Sequence, residues 1–260
     1  MTELNLSPEE LLAELGIEQP EDIDVEAIAQ YCGATVVYEP LEGSEARILG
    51  YGDQAFITVN LSSSRPRQRF SAAHELGHWM RDRGKIAHFV CTDRQLVSAW
   101  SRDDPEKRAN RYAAELLLPG SMFREAARGM AMTFESVRML GDAFQTSLTA
   151  TAIRLVEEGS FPSMLICCEP GGKRWKWHLQ GPDVPRELWP VDLPGRGTIA
   201  SGMLNGGPAR GPCEVGAWGW FVHPDADRYS VHEDSIQIPG CVLTLLWWKD
   251  ESQLLDLVRD

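Results

Sequence analysis

The segment "FSAAHELGHWM", residues 70 to 80, constrains this chain more than any other stretch. His74 and His78 stand four residues apart, with Glu75 directly after the first. On a helix, residues i and i+4 share a face one turn apart, so both imidazoles can reach one ion while Glu75 projects beside them toward a bound water. Zinc suits such a pair: its catalytic sites use three protein ligands and keep one position for water, whose pKa falls to about 7. The competing reading is an amphipathic helix with two buried histidines, because Phe70, Ala73, His74, Gly77 and His78 also form one face at helical spacing.

A third ligand decides between the two readings, and the place to look is "PEKRANRYAAELLLP". Its acidic start, its Ala and Leu middle, and Pro119 with Gly120 as a stop predict a helix. Two acids compete there. At about 100° per residue, Glu106 shares a face with Asn110, Ala113, Ala114 and Leu117, while Glu115 lies roughly opposite. The small and apolar residues mark the inward face, so Glu106 is the better ligand and Glu115 is expected to face solvent. Asn110, one turn on from Glu106, is placed to support a ligand by hydrogen bonding. His88, His178, His223 and His232 rank lower, none having a partner at ligand spacing.

The rest of the chain reads as α+β. Ser7, Pro8 and Glu10 make a capping box with proline at the first helical position, and Asp24 to Gly33 bounds a second helix. The runs "ATVVYEP", "ARILGY" and "AFITVN" suggest three strands, and the histidine helix should run from about Pro66 to Arg83, followed by an irregular stretch to about Asp104. Helices are expected at "SMFREAARG", "TFESVRMLGDAFQ" and "SLTATAIRLVEEG", the last two with helix-turn-helix dimensions. A DNA-reading helix usually offers Arg, Lys, Asn or Gln, whereas "SLTATAIRLVEEG" has only Arg154 and ends in two glutamates, which favours a structural helix pair. Beyond "EEGSFP" the character turns to β: "SMLICCE" and "KRWKWHLQ" flank a "PGG" turn, and "GAWGWFV", "RYSVHEDSIQI" and "CVLTLLWW" are strand-like. Seven of the nine tryptophans fall after residue 160. The expected division is residues 1–131, a helical segment at 132–160, and a β-rich domain at 161–260. The Gly-rich "PGRGTIASGMLNGGPARG" lacks a phosphate-loop spacing and is expected to be a flexible loop.

Charge and cysteine usage narrow the class. The net charge of −13 argues against broad affinity for nucleic acid, since phosphate contacts need clustered Lys and Arg. Residues 1–60 hold thirteen acidic side chains against Arg47 alone, a surface that is either simply solvated or suited to a basic partner. The six cysteines have no C-x-x-C spacing and are expected to be reduced, and because Cys167 and Cys168 alternate across a strand, one of them is expected in a core. No apolar run approaches the length of a membrane span and the first residues lack a signal-peptide pattern, so no membrane association and a cytoplasmic location are expected.

"RQRFSAAHELGHWM" followed by "EKRANRYAAELLLPG" resembles the ImmA/IrrE family of metallo-endopeptidases. That family pairs an H-E-x-x-H helix with a downstream E-x-x-A-N-x-[FY]-A-A-x-L-L-x-P helix, and the resemblance covers about residues 5 to 158. It implies a zincin-like domain, a small sheet plus the H-E-x-x-H helix, with one Zn2+ held by His74, His78 and Glu106 and with Glu75 as catalytic base. It further implies a helix-turn-helix-like middle segment and, by layout, a GAF-like sensor at the C-terminus taking a small-molecule or nucleic-acid signal. The substrate it implies is a helix-turn-helix repressor of the Xre type, cleaved to release stress-response or mobile-element genes. The alternative is a noncatalytic regulator in which zinc is structural and the protein binds a repressor or DNA. For a second oxyanion donor the sequence offers Tyr112 and Arg154, the former better explained by packing and the latter by a surface or interhelix contact. Arg65, Arg67 and Arg69 are expected at the surface or against a substrate backbone.

Overall fold

The computed structural model describes residues 6–82, 89–91 and 104–257. The chain divides into two compact units, one of residues 1–123 with 141–147, the other of 124–140 with 148–260. The middle segment 132–160 is thus shared between them.

In the first unit, α1 (Pro8–Glu14) opens on the capping box: the Glu10 amide donates to the Ser7 hydroxyl and the Ser7 amide to the Glu10 carboxylate, at 3.3 and 2.8 Å. Asp24 caps α2 (Val25–Tyr31) by accepting from the Ala27 amide at 3.0 Å. Strands β1 (Ala34–Glu39), β2 (Ala46–Tyr51) and β3 (Gln54–Asn60) follow, then α3 (Arg65–Asp82), β4 (Phe89–Cys91) and α4 (Pro105–Leu117). The stretch from Gly84 to Asp104, expected to be irregular, therefore contributes a short strand. The sheet order is β1-β3-β2-β4, with β1 parallel to β3 and β2 antiparallel to both of its neighbours. Alternation sets which side faces the core. Ile48 pairs with Ile57 and both are buried, while the next pair, Leu49 and Phe56, is exposed. The buried face packs with Ala72, Ala73 and Leu76 of α3 and Ala113, Leu116 and Leu117 of α4 in one apolar core.

The helices α5 (Gly120–Ala126) and α6 (Phe134–Phe144) straddle the division, and α7 (Leu148–Glu158) belongs to the second unit. There a five-stranded antiparallel sheet has the order β6-β5-β9-β8-β7, built from β5 (Ser163–Cys168), β6 (Trp175–Gln180), β7 (Cys213–Gly216), β8 (Ser230–Ile238) and β9 (Cys241–Trp247). Helices α8 (Ile199–Leu204) and α9 (Glu251–Asp256) complete it.

Three expectations need correction here. The Gly-rich stretch is not all loop: Thr198 accepts from the Ser201 amide at 3.1 Å and caps α8 within it. "GAWGWFV" is not a strand but a 3-10 turn at Ala217–Gly219 followed by a single bridge from Phe221 to Pro190. Cys167 and Cys168 are both buried, because β5 lies inside the sheet with both faces covered.

Two adjacent carboxylates of β8 are buried and serve as helix anchors. Glu233 accepts from the amides of Ile199 and Ala200 at 3.0 and 2.7 Å, from the Trp220 indole at 3.3 Å and from the Ser235 hydroxyl at 3.0 Å. Burial pushes its pKa up and these donors pull it back. Asp234 accepts from the Phe134 amide at 2.7 Å at the start of α6. Replacing Glu233 by Ala strands the donors in a dry interior and should cost about 3 kcal/mol. A lower urea midpoint in tryptophan fluorescence, which this unit dominates, is the expected result.

Candidate metal centre

The α3 helix carries His74 and His78 on the side that meets α4, and both are almost fully buried, at 3% and 0% exposure. Their rings are perpendicular, with centroids 4.8 Å apart. The two helices touch closely because Gly77 lies between them: a Cβ there would stand 3.0 Å from the Tyr112 Cβ and 3.1 Å from the Ala109 backbone. The missing side chain lets α4 approach, and Glu106 arrives over the imidazole pair. Asp104 sets the start of that helix by accepting from the Glu106 amide at 3.0 Å.

Three donor groups converge. The Nε2 atoms of His74 and His78 are 3.1 Å apart, His74 Nε2 is 3.3 Å from one Glu106 oxygen, and His78 Nε2 is 3.4 Å from the other. A tetrahedral ion with bonds of about 2.0 to 2.1 Å holds its donor atoms roughly 3.3 Å apart. The Asn110 side-chain oxygen accepts from His74 Nδ1 at 2.9 Å, which turns Nε2 toward the cluster. The imidazoles, His74 first, hold the Glu106 carboxyl well below the usual carboxylate range, and burial opposes them only in part. Two imidazole nitrogens and a carboxylate gathered this closely fit a divalent metal that takes nitrogen and oxygen ligands.

Glu75 is fully buried beside the pair, at 0% exposure. Glu115 is only partly buried and is not in the cluster. His178 and His232 pack against tryptophans of the second unit, Trp175 and Trp247 respectively, and His88 lies outside the described residues. Tyr112 belongs to the helix interface, its ring under the Arg81 guanidinium at 5.7 Å and its hydroxyl buried, which pushes its pKa up. Arg154 is engaged with Glu157 and Glu158 of its own helix. Of the three arginines ahead of the histidines, Arg65 pairs with Glu26 and Arg67 with Glu45. Arg69 departs from expectation: it is 3% exposed and donates to the Ile23 carbonyl at 3.0 Å, tying α3 to the chain before α2.

The sequence model of the IrrE N-terminal-like domain, Peptidase_M78, matches residues 29–156, which span the sheet, both site helices and the helices after them. Those residues belong to the IrrE N-terminal-like family. A solved structure of a Mycobacterium tuberculosis transcriptional regulator aligns with a TM-score of 0.59 over 99% of this chain and 78% of that one, at 15% identity. At that identity the likeness is one of fold. No curated protein matches. Among the described residues no helix is long and apolar enough to cross a membrane.

Two variants test this geometry. Asn110→Ala frees the His74 ring and should weaken metal binding about 10- to 100-fold, measured by competition with a chelating dye. Gly77→Leu should push α4 away and abolish stoichiometric metal in mass spectrometry of the purified protein, with the circular dichroism of the second unit's sheet retained.

Proposed function

We propose that this protein is a zinc-dependent endopeptidase of restricted specificity that inactivates a helix-turn-helix repressor of the Xre type. The observation that carries the reading is the convergence of His74, His78 and Glu106 with a fully buried glutamate, Glu75, directly after the first histidine. The membership of residues 29–156 in a peptidase family supports it.

In this reading His74, His78 and Glu106 hold one zinc ion, and Asn110 fixes the His74 tautomer. Zinc supplies Lewis acidity, polarising a carbonyl and bringing a water's pKa to about 7. Glu75 takes a proton from the attacking water as its oxygen adds to the scissile carbonyl carbon. When the carbon–nitrogen bond breaks, Glu75 gives that proton to the leaving amine. Its burial keeps bulk water from competing for the proton. The thirteen acidic side chains of residues 1–60 would favour encounter with a basic DNA-binding protein. A cytoplasmic setting suits the free thiols of Cys32, Cys167, Cys168, Cys213 and Cys241.

A second reading, a noncatalytic regulator with a structural metal, draws on the likeness in fold to the mycobacterial transcriptional regulator. Glu75 separates the two. The helix-turn-helix protein encoded beside this one should be cut at one bond by the zinc-loaded protein. Glu75→Gln should keep zinc and lower the cleavage rate by about 10²- to 10⁴-fold. Unchanged repressor inactivation by Glu75→Gln, with no cleaved product, would establish the noncatalytic reading instead.

A further inference from the structure

The second unit contains a cavity of about 560 Å³, within the range of small-molecule sites. Its floor is one cross-strand row. Glu214 of β7 pairs with His232 of β8, which pairs with Trp247 of β9, so the three side chains share a sheet face. The His232 and Trp247 rings are stacked, with centroids 5.2 Å apart and planes inclined by 19°. The facing wall is the connection from Gly129 to Thr133, with the thioethers of Met130 and Met132, and Phe161 adds an aromatic edge. Thioethers and ring edges are favourable neighbours for a flat π-system.

Floor and wall are tied together. The Asp234 carboxylate, two residues along β8 from His232 and so on the same face, accepts from the Phe134 amide directly after the wall segment. The Thr133 hydroxyl in turn accepts from the Ser136 amide at 3.3 Å. The Asp234 bond thus joins the strand of the floor to the segment of the wall.

The polar groups give the sign of the charge. Glu214 is a carboxylate on the floor row and accepts from the Ser230 hydroxyl. Burial, and then Lys249, push the pKa of His232 down, and Glu214 opposes them. Lys249 is exposed at the rim and makes no ion pair among the described residues. The cavity thus offers polarizable side chains, one carboxylate on its floor and, in Lys249, a cation with no ion pair among the described residues.

We propose that this cavity binds a planar aromatic anion of one or two rings, its ring between the His232–Trp247 row and the methionine wall and its anionic group on Lys249. The proposal is independent of the peptidase reading. The test is calorimetric titration of the full-length protein with benzoate, indole-3-carboxylate and 2-naphthoate. At least one should bind saturably at one site per chain. Lys249→Met, at an exposed position, should weaken that binding about tenfold or more, the weight of one charge-assisted contact, and neutral 2-naphthylmethanol should bind the wild type correspondingly less well. Ala131→Trp, also at an exposed position, should fill the cavity and abolish binding, while Glu75→Gln should bind as wild type does. No saturable binding of any of the three acids at millimolar concentration, or binding that survives both Lys249→Met and Ala131→Trp, overturns the proposal.

Discussion

The distance at which α4 can pass α3 governs the chemistry of the first unit. Two imidazoles one helical turn apart supply only two ligands, and the third must come from another element within about 3.5 Å. Gly77 sets that distance, since any larger residue would meet Ala109 and Tyr112 before Glu106 reached the histidines. The apolar core formed by both helices and the sheet then holds the approach in place. Bringing a carboxylate against two buried nitrogens is unfavourable unless a charge of opposite sign offsets it, so affinity for a cation and the close helix contact are two aspects of one arrangement.

Much of this was readable because the signals were local. The capping residues Ser7, Asp24 and Asp104 each accept from the amide that their helix start requires. The choice of Glu106 over Glu115 followed from helical phase alone, and the coordinates place Glu106, not Glu115, in the cluster with Asn110 bonded to His74. The role of Gly77 was missed although it stands inside the motif. Its signal was the pairing of a glycine on one helix with alanine at position 109 on the other, which becomes visible only once the two helices are known to cross.

The second unit was legible only as β-rich, for a physical reason. Its organising contacts join residues far apart in sequence: Glu233 reaches Ile199 and Ala200, and Asp234 reaches Phe134. A sequence shows Glu233 and Asp234 as an ordinary acidic pair in a strand, which would normally mark a solvated edge. Nothing local reveals that both are buried, or that the segment around Ala217 is held as a turn by the Tyr229 carbonyl. Arg69 misled for the same reason, since an arginine among arginines reads as surface until its acceptor, the Ile23 carbonyl, is seen.

His232, Glu233 and Asp234 follow one another on a single strand, and successive side chains of a strand point to opposite faces. His232 lies on the cavity floor, Glu233 holds the start of α8, and Asp234 holds the start of α6. The carboxylates of the two residues after His232 thus accept hydrogen bonds from two different helix starts. One short stretch of strand therefore fixes where two helices begin and also supplies the histidine of the cavity floor.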